Sequence, residues 1–145
     1  MAKNVLIVYY SLGGNTKEAA SIVKQAVTDA GHKAVMKTGL EAGLDDLVGC
    51  DGIVIGTPDY FSYMAGGLKD FFDRTYYPSR DKVEGKPYFA FVTHGGGGKA
   101  VDSVEKVAGS FKFKKAAECV SIQNRPDEKA RKLLQDTVKK FLASL

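Results

Sequence analysis

Short apolar runs and segments with helical spacing alternate along the chain. Five apolar runs, rich in β-branched and aromatic residues, predict strands at 5–10, 34–36, 51–56, 87–93 and 116–122. Between and after them, apolar residues recur every three or four positions and predict helices at about 15–30, 44–48, 65–72, 101–111 and 126–142. The run at 5–10 is continuously apolar, which is typical of a strand covered on both faces.

This alternation predicts an α/β protein, in which a five-stranded parallel sheet carries helices on both faces. No repeat, low-complexity tract or linker interrupts the pattern, so we expect one domain that spans residues 1–145. In such sheets, ligands bind beyond the carboxyl ends of the strands, where the strand order switches direction. The loops that follow the first, third and fourth strands are therefore the first places to look for function.

The loop after the first strand has the composition of an anion site. It consists of Ser11, Leu12, Gly13, Gly14, Asn15 and Thr16. The glycines permit a tight turn with positive φ, and backbone N–H groups at a helix N-terminus attract anions. The spacing is neither G-x-x-x-x-G-K-[ST] nor G-x-G-x-x-G, which argues against ATP hydrolysis and against a dinucleotide fingerprint. The alternative is a plain strand–helix turn, with Asn15 or Thr16 as N-cap.

The loop after the third strand is rich in aromatic residues. It contains Thr57, Pro58, Asp59, Tyr60, Phe61, Ser62 and Tyr63. Exposed rings usually mark a binding surface, and flat rings suit stacking on a flat heteroaromatic ligand. The alternative is that these rings pack onto the third helix or onto a partner subunit.

The loop after the fourth strand is dominated by glycine. It begins with Thr93, His94, Gly95 and Gly96 and continues through two more glycines to Lys99. Four consecutive glycines are costly to order, so either close backbone approach to a ligand or plain flexibility explains them. His94 is either a hydrogen-bond donor to a ligand oxygen or a solvated loop histidine.

Composition narrows the class of protein. A chain of 145 residues that is 44% hydrophobic can bury a core without disulfides or metal. Cys50 and Cys119 are interpreted as reduced thiols, and two histidines cannot build a zinc site. No signal peptide or apolar stretch of membrane-spanning length is visible, so we expect a cytoplasmic location without membrane contact. The net charge of +4 lies largely on predicted helix faces, which does not favour nucleic-acid binding.

With these three loops, the whole chain resembles the flavodoxin-like proteins, three-layer sandwiches that bind FMN on a five-stranded sheet of order 2-1-3-4-5. The run 64–74 is closer to the NAD(P)H:quinone oxidoreductase branch than to acidic electron carriers. The resemblance implies that residues 11–16, above all Ser11, Asn15 and Thr16, hold the FMN phosphate. It also implies that Thr57 and Pro58 form the wall beside the ribityl chain, that residues 59–63 flank the isoalloxazine, and that residues 93–96 meet its pyrimidine end.

Three departures from the family pattern bear on function. Gly13 stands where the family often has a threonine, which removes one phosphate-binding hydroxyl. No tyrosine occurs from Thr93 to Lys99, where many carriers place one over the ring, so one flavin face is expected to be open. The long insertions of the larger quinone oxidoreductases are absent, which puts their tetrameric assembly in doubt; monomer and homodimer both stay open.

We therefore predict a redox flavoprotein that reduces a quinone or similar small acceptor with electrons from NAD(P)H or a partner reductase. The second loop carries one acid, Asp59, and the third carries His94 and Lys99, a balance that favours two-electron transfer. Hydride passes directly between rings, so no catalytic side chain is assigned, and His94 is only a candidate proton donor. Two alternatives remain: an electron carrier that serves protein partners, and a cofactor-free signalling module. The signalling module needs an acidic pair after the first strand, which this chain lacks.

Overall fold

The computed structural model describes residues 1–145 and follows the predicted alternation of strands and helices. The strands are β1 (Asn4–Tyr9), β2 (Lys33–Thr38), β3 (Gly52–Tyr60), β4 (Tyr63–Met64), β5 (Pro87–His94), β6 (Lys114–Lys115) and β7 (Val120–Gln123). The helices are α1 (Asn15–Asp29), α2 (Leu44–Gly49), α3 (Gly66–Ser79), α4 (Ala100–Ser110) and α5 (Glu128–Leu142). None of these helices is both long enough and apolar enough to cross a membrane.

The sheet has the order β2-β1-β3-β5, and its fifth position is shared by two short strands. β6 pairs with the first two residues of β5, and β7 pairs with the last four, all in parallel. The fourth predicted strand is β5, so the predicted order 2-1-3-4-5 is confirmed. The prediction of a single fifth strand at 116–122 is wrong. Ala116 and Ala117 both pack against the same face of the sheet, so the two-residue alternation that a continuous strand requires is interrupted there.

A short antiparallel hairpin extends the sheet at the end of β3. Tyr60 pairs with Tyr63, and Asp59 pairs with Met64. The sequence predicts a loop at this segment, because two residues are too few to show the alternation of a strand. The hairpin holds the second loop in one conformation beside the carboxyl edge of the sheet.

Alternating residues of β1 divide the core into two layers. Leu6 and Val8 pack with side chains of α2, α3 and α4 on one face. Val5 and Ile7 pack with side chains of α1 and α5 on the other face. All four of these residues are almost completely buried, as expected for a central parallel strand covered by helices. The arrangement confirms the predicted three-layer sandwich and aligns the strand ends that carry the three loops.

Candidate functional site

The three loops meet around one open cleft beyond the carboxyl ends of β1, β3 and β5, where the strand order switches direction. The lining residues are Ser11, Leu12, Gly13, Gly14, Asn15, Thr16, Pro58, Asp59, Tyr60, Thr93, His94, Gly95 and Asn124. Members of all three loops singled out in the sequence therefore lie together. The lining does not include Thr57, Phe61, Ser62, Tyr63 or Gly96.

The first loop presents the N-terminus of α1 to the cleft. Gly14, with a φ of 102°, is the N-cap of α1 and has no side chain with which to cap the helix. Asn15 and Thr16 are the first helical residues, so the alternative in which one of them is the N-cap is not what the structure shows. The backbone N–H groups of Leu12, Gly13, Asn15 and Thr16 have no acceptor within the chain. Free N–H groups and the positive end of the helix dipole together suit an anion.

Ser11 stabilises the first loop from within. Its Oγ accepts hydrogen bonds from the backbone N–H groups of Gly14 (3.1 Å) and Lys17 (3.3 Å). Both lone pairs of the hydroxyl oxygen are thereby used, while its hydrogen is left to donate. Ser11 therefore shapes the loop and can still donate one hydrogen bond to a ligand.

A pair of buried threonines connects the first loop with the third. The Oγ1 atoms of Thr16 and Thr93 lie 2.7 Å apart, and the residues are only 2% and 3% exposed. Each hydroxyl has one hydrogen, and the single bond between them uses only one of the two. The other hydrogen has no acceptor within the chain, so this pair offers one hydroxyl donor at the floor of the cleft.

In the second loop, one side chain is buried beneath the cleft wall, and two aromatic rings are exposed. The Thr57 hydroxyl donates to the carbonyl oxygen of Pro58 (2.8 Å) and accepts from the N–H of Ala65 (2.9 Å). Thr57 is completely buried, so it supports the wall of the cleft from beneath. Phe61, at the hairpin tip, is fully exposed, and Tyr63 is 44% exposed. The alternative in which these rings pack onto the third helix therefore does not hold for Phe61.

The imidazole of His94, at the start of the third loop, lies close to Ser121 and Gly98. Its Nε2 lies 3.0 Å from the Ser121 Oγ on β7. A Cβ on Gly98 would lie 3.2 Å from the imidazole Cδ2 and 3.2 Å from the same Oγ, and Gly98 has a φ of 80°. At this glycine, close packing and backbone conformation, rather than flexibility, account for the residue type. The His94 Nδ1 is buried and has no hydrogen-bond partner within the chain.

The one acidic residue of the cleft lining is held by backbone donors. The Asp59 carboxylate accepts from the N–H of Ser62 (2.8 Å) and from that of Ala100 (3.3 Å), the first residue of α4. Next to the lining residue Asn124 in the chain, Arg125 forms an ion pair with Glu18 of α1 at 3.2 Å. Asp59 is the only acid in the lining, and the lining contains no lysine or arginine, so Lys99 of the third loop lies outside it.

Asn124 is a lining residue that the sequence analysis missed. It follows β7 at the same edge of the sheet and has a φ of 63°. Its N–H donates to the carbonyl oxygen of His94 at 2.8 Å, which closes the third side of the cleft. The available signal was an asparagine, a residue that tolerates positive φ, directly after the last strand.

Comparison with known proteins agrees with this geometry. Residues 22–127 match the model of a family described as NADPH-dependent FMN reductase. The chain is 30% identical to a flavodoxin of Aquifex aeolicus, over 65% of this chain and 51% of that protein. It is 28% identical to an NAD(P)H dehydrogenase (quinone) of Paracoccus denitrificans, over 72% of this chain and 62% of that one. The chain thus matches between 51% and 62% of the length of these curated relatives.

Solved structures show the same fold over almost the whole chain. A Streptococcus pneumoniae flavodoxin superposes with a TM-score of 0.87 at 22% identity, covering 98% of this chain and 99% of that one. An archaeal flavodoxin superposes with a TM-score of 0.87 at 20% identity, covering 97% and 98%. The predicted flavodoxin-like fold is confirmed. Because the family model matches most of the chain, this protein belongs to the NADPH-dependent FMN reductase family and uses FMN as its cofactor.

Proposed function

We propose that residues 1–145 form one FMN-binding domain that reduces a quinone or a similar small acceptor with electrons from NAD(P)H or a partner reductase. The observation that carries this proposal is the cleft at the switch point, with unused hydrogen-bond donors at one end and an open, aromatic rim at the other. FMN supplies the redox chemistry when it is bound, and the chain's residues bind it, orient it and control access to it.

The first loop fits a phosphate group. Four free backbone N–H groups, the Ser11 hydroxyl hydrogen and the spare hydrogen of the Thr16–Thr93 pair all lie at one end of the cleft. A phosphate dianion needs several donors and is stabilised by a helix N-terminus. Residues 11–16 therefore hold the phosphate in this proposal. No lysine or arginine lines the cleft, so neutral donors do most of the binding.

The second and third loops fit the flavin ring. Pro58, Asp59 and Tyr60 form one wall, supported by Thr57, while residues 61–63 carry the exposed rim. Residues 93–96 meet the pyrimidine end, where the unpartnered His94 Nδ1 is available to a polar ring atom. Because the imidazole can donate or accept, His94 can hold a proton next to the flavin. The absence of an aromatic residue in the third loop leaves room for an acceptor ring to stack.

An electron carrier that serves protein partners is the second candidate function. The similarity to the Aquifex aeolicus flavodoxin supports it, as does the match to short flavodoxins over nearly their whole length. The exposed Phe61 and Tyr63 at the rim suit a protein partner as well as a small molecule. A homodimer in which a second subunit covers this rim is also compatible with the proposal.

Turnover by the purified protein separates the two functions. The chain is reconstituted with FMN, and oxidation of NADH and NADPH is followed with and without a soluble quinone. Steady turnover by the protein alone supports the oxidoreductase. A yellow, FMN-loaded protein that turns over only with an added reductase supports the carrier, and failure to bind FMN would reject both.

The proposal places the protein in the cytoplasm, because its two free thiols are typical of a reducing compartment.

A further inference from the structure

Asp59 lies at the junction between the second and third loops, and its carboxylate bonds to both sides of that junction. We propose that Asp59 is a positioning residue, whose carboxylate clamps the β3–β4 turn to the start of α4 and sets the separation of the two loops around the flavin. The inference rests on the proposed function, since it concerns the ring end of the same cleft.

The carboxylate joins two segments that are distant in sequence. One oxygen, Oδ1, accepts from the N–H of Ser62 at 2.8 Å, in the turn of the hairpin. The other, Oδ2, accepts from the N–H of Ala100 at 3.3 Å, 41 residues away. The two bonds use different oxygen atoms, so a single carboxylate connects the two segments.

The turn needs this support because its backbone is strained. Phe61 and Ser62 have φ values of 59° and 61°, a left-handed conformation that residues other than glycine rarely adopt. Such residues persist only where the surroundings hold them in place. The bond from Asp59 to the Ser62 N–H is a local contact that stabilises the turn.

At the other end, Asp59 caps α4. The N-cap position of this helix is Lys99, which makes no side-chain cap. Asp59 provides the missing acceptor, and its negative charge is favourable at the positive end of the helix dipole. A second bond ties the hairpin to the same helix, from the N–H of Met64 to the Ser103 Oγ at 2.9 Å. The glycine loop runs directly into α4, so the clamp also fixes the position of the third loop.

Asp59→Ala tests the clamp, and Asp102→Ala is its matched control. Asp102 is also an acid in the first turn of α4, but its side chain makes no hydrogen bond or ion pair. Amide hydrogen exchange of the FMN-free protein is measured by NMR, and the FMN dissociation constant by quenching of flavin fluorescence. In Asp59→Ala, we expect faster exchange at Ser62 and Ala100 and roughly tenfold weaker FMN binding. In Asp102→Ala, we expect exchange at both amides and FMN affinity close to wild type.

Two further variants make the test robust. Asp59→Asn keeps the side-chain volume but has one acceptor oxygen, so we expect it to protect only one of the two amides. Adding Ser62→Gly to Asp59→Ala relieves the strain at positive φ and is expected to restore the part of the FMN affinity that depends on the turn.

Unchanged exchange at Ser62 and Ala100, or wild-type FMN affinity, in Asp59→Ala would overturn the inference. A Ser62→Gly addition that restores nothing would overturn it as well, because the clamp would then not act through the strained turn. If the wild-type protein itself binds no FMN, the proposed function fails, and the inference fails with it. The exchange data, which need no cofactor, show in that case whether the contacts themselves exist.

Discussion

Thr16 and Thr93 share one buried hydrogen bond, 2.7 Å between hydroxyl oxygens, although 77 residues separate them in the chain. The bond joins the first helical turn of α1 to the end of β5, which belong to the loops that the proposal assigns to the phosphate and to the flavin ring. It leaves one hydroxyl hydrogen for a ligand, and it couples the two loops that the proposal assigns to one FMN molecule.

Thr93→Val is expected to weaken FMN binding by roughly tenfold, because it removes one partner of this pair at nearly constant volume. Riboflavin, which lacks the phosphate, should lose much less affinity. Thr75→Val is the matched control, since Thr75 is equally buried but bonds to the Phe71 carbonyl oxygen within α3. Equal losses for FMN and riboflavin, measured by fluorescence titration, would show that the pair does not serve the phosphate.

Gly13→Thr introduces the residue that flavodoxin-like proteins often have at this position of the phosphate loop. A Cβ at this position meets no atom within 4 Å, so the threonine has space. We expect FMN to bind several-fold more tightly through the added hydroxyl. Gly14→Thr is the control with the opposite expected sign, because Gly14 has a φ of 102° and a β-branched residue is strained there. Tighter binding in both variants would contradict this prediction.

His94→Ala tests whether the imidazole holds a proton for the reaction. We expect kcat with a quinone to fall by about tenfold or more, while the FMN dissociation constant changes little. Ser121→Ala, which removes only the partner of Nε2, should show a smaller decrease in kcat. Unchanged kcat and unchanged flavin potential in His94→Ala would remove this residue from the mechanism.

The small number of acidic residues around the cleft predicts two-electron behaviour. Asp59 is the only acid in the lining, and two N–H groups hold its carboxylate. In anaerobic titration with dithionite, we therefore expect little accumulation of one-electron-reduced flavin. A large and stable population of that form, seen by its absorbance, would instead favour the electron carrier.

Burial of the Cys50 thiol predicts that the protein becomes less stable at alkaline pH. Burial raises the pKa of this thiol to about 11, from 9.0. The unfolded chain therefore loses its proton first as the pH rises, and the free energy of unfolding falls between pH 9 and 11. The loss is on the order of 3 kcal/mol for one thiol. Urea denaturation across this range should show a smaller decrease in Cys50→Ala, and the same decrease in both proteins would refute the assignment. Cys119, whose pKa burial raises to about 12, accounts for a further part of the slope.

The alternation of strands and helices and the position of the three loops could be predicted from the sequence pattern, and the sheet order was implied by the resemblance to flavodoxin-like proteins. Hydrophobic period and glycine placement are local signals, and parallel strands necessarily bring their carboxyl ends to one edge. The hydrophobic pattern did not identify the shortest strands. The two residues of β4 show no period, and the adjacent alanines 116 and 117 hide the break between β6 and β7.

What the sequence by itself determined is a flavodoxin-like sheet with an anion loop, an aromatic loop and a glycine loop at one edge. The tertiary structure alone decided how these loops are joined. The Thr16–Thr93 bond, the Asp59 clamp and the contact of Asn124 with His94 each connect residues at least 30 positions apart. Such contacts depend on the packing of whole elements against one another, which no local pattern of residues encodes.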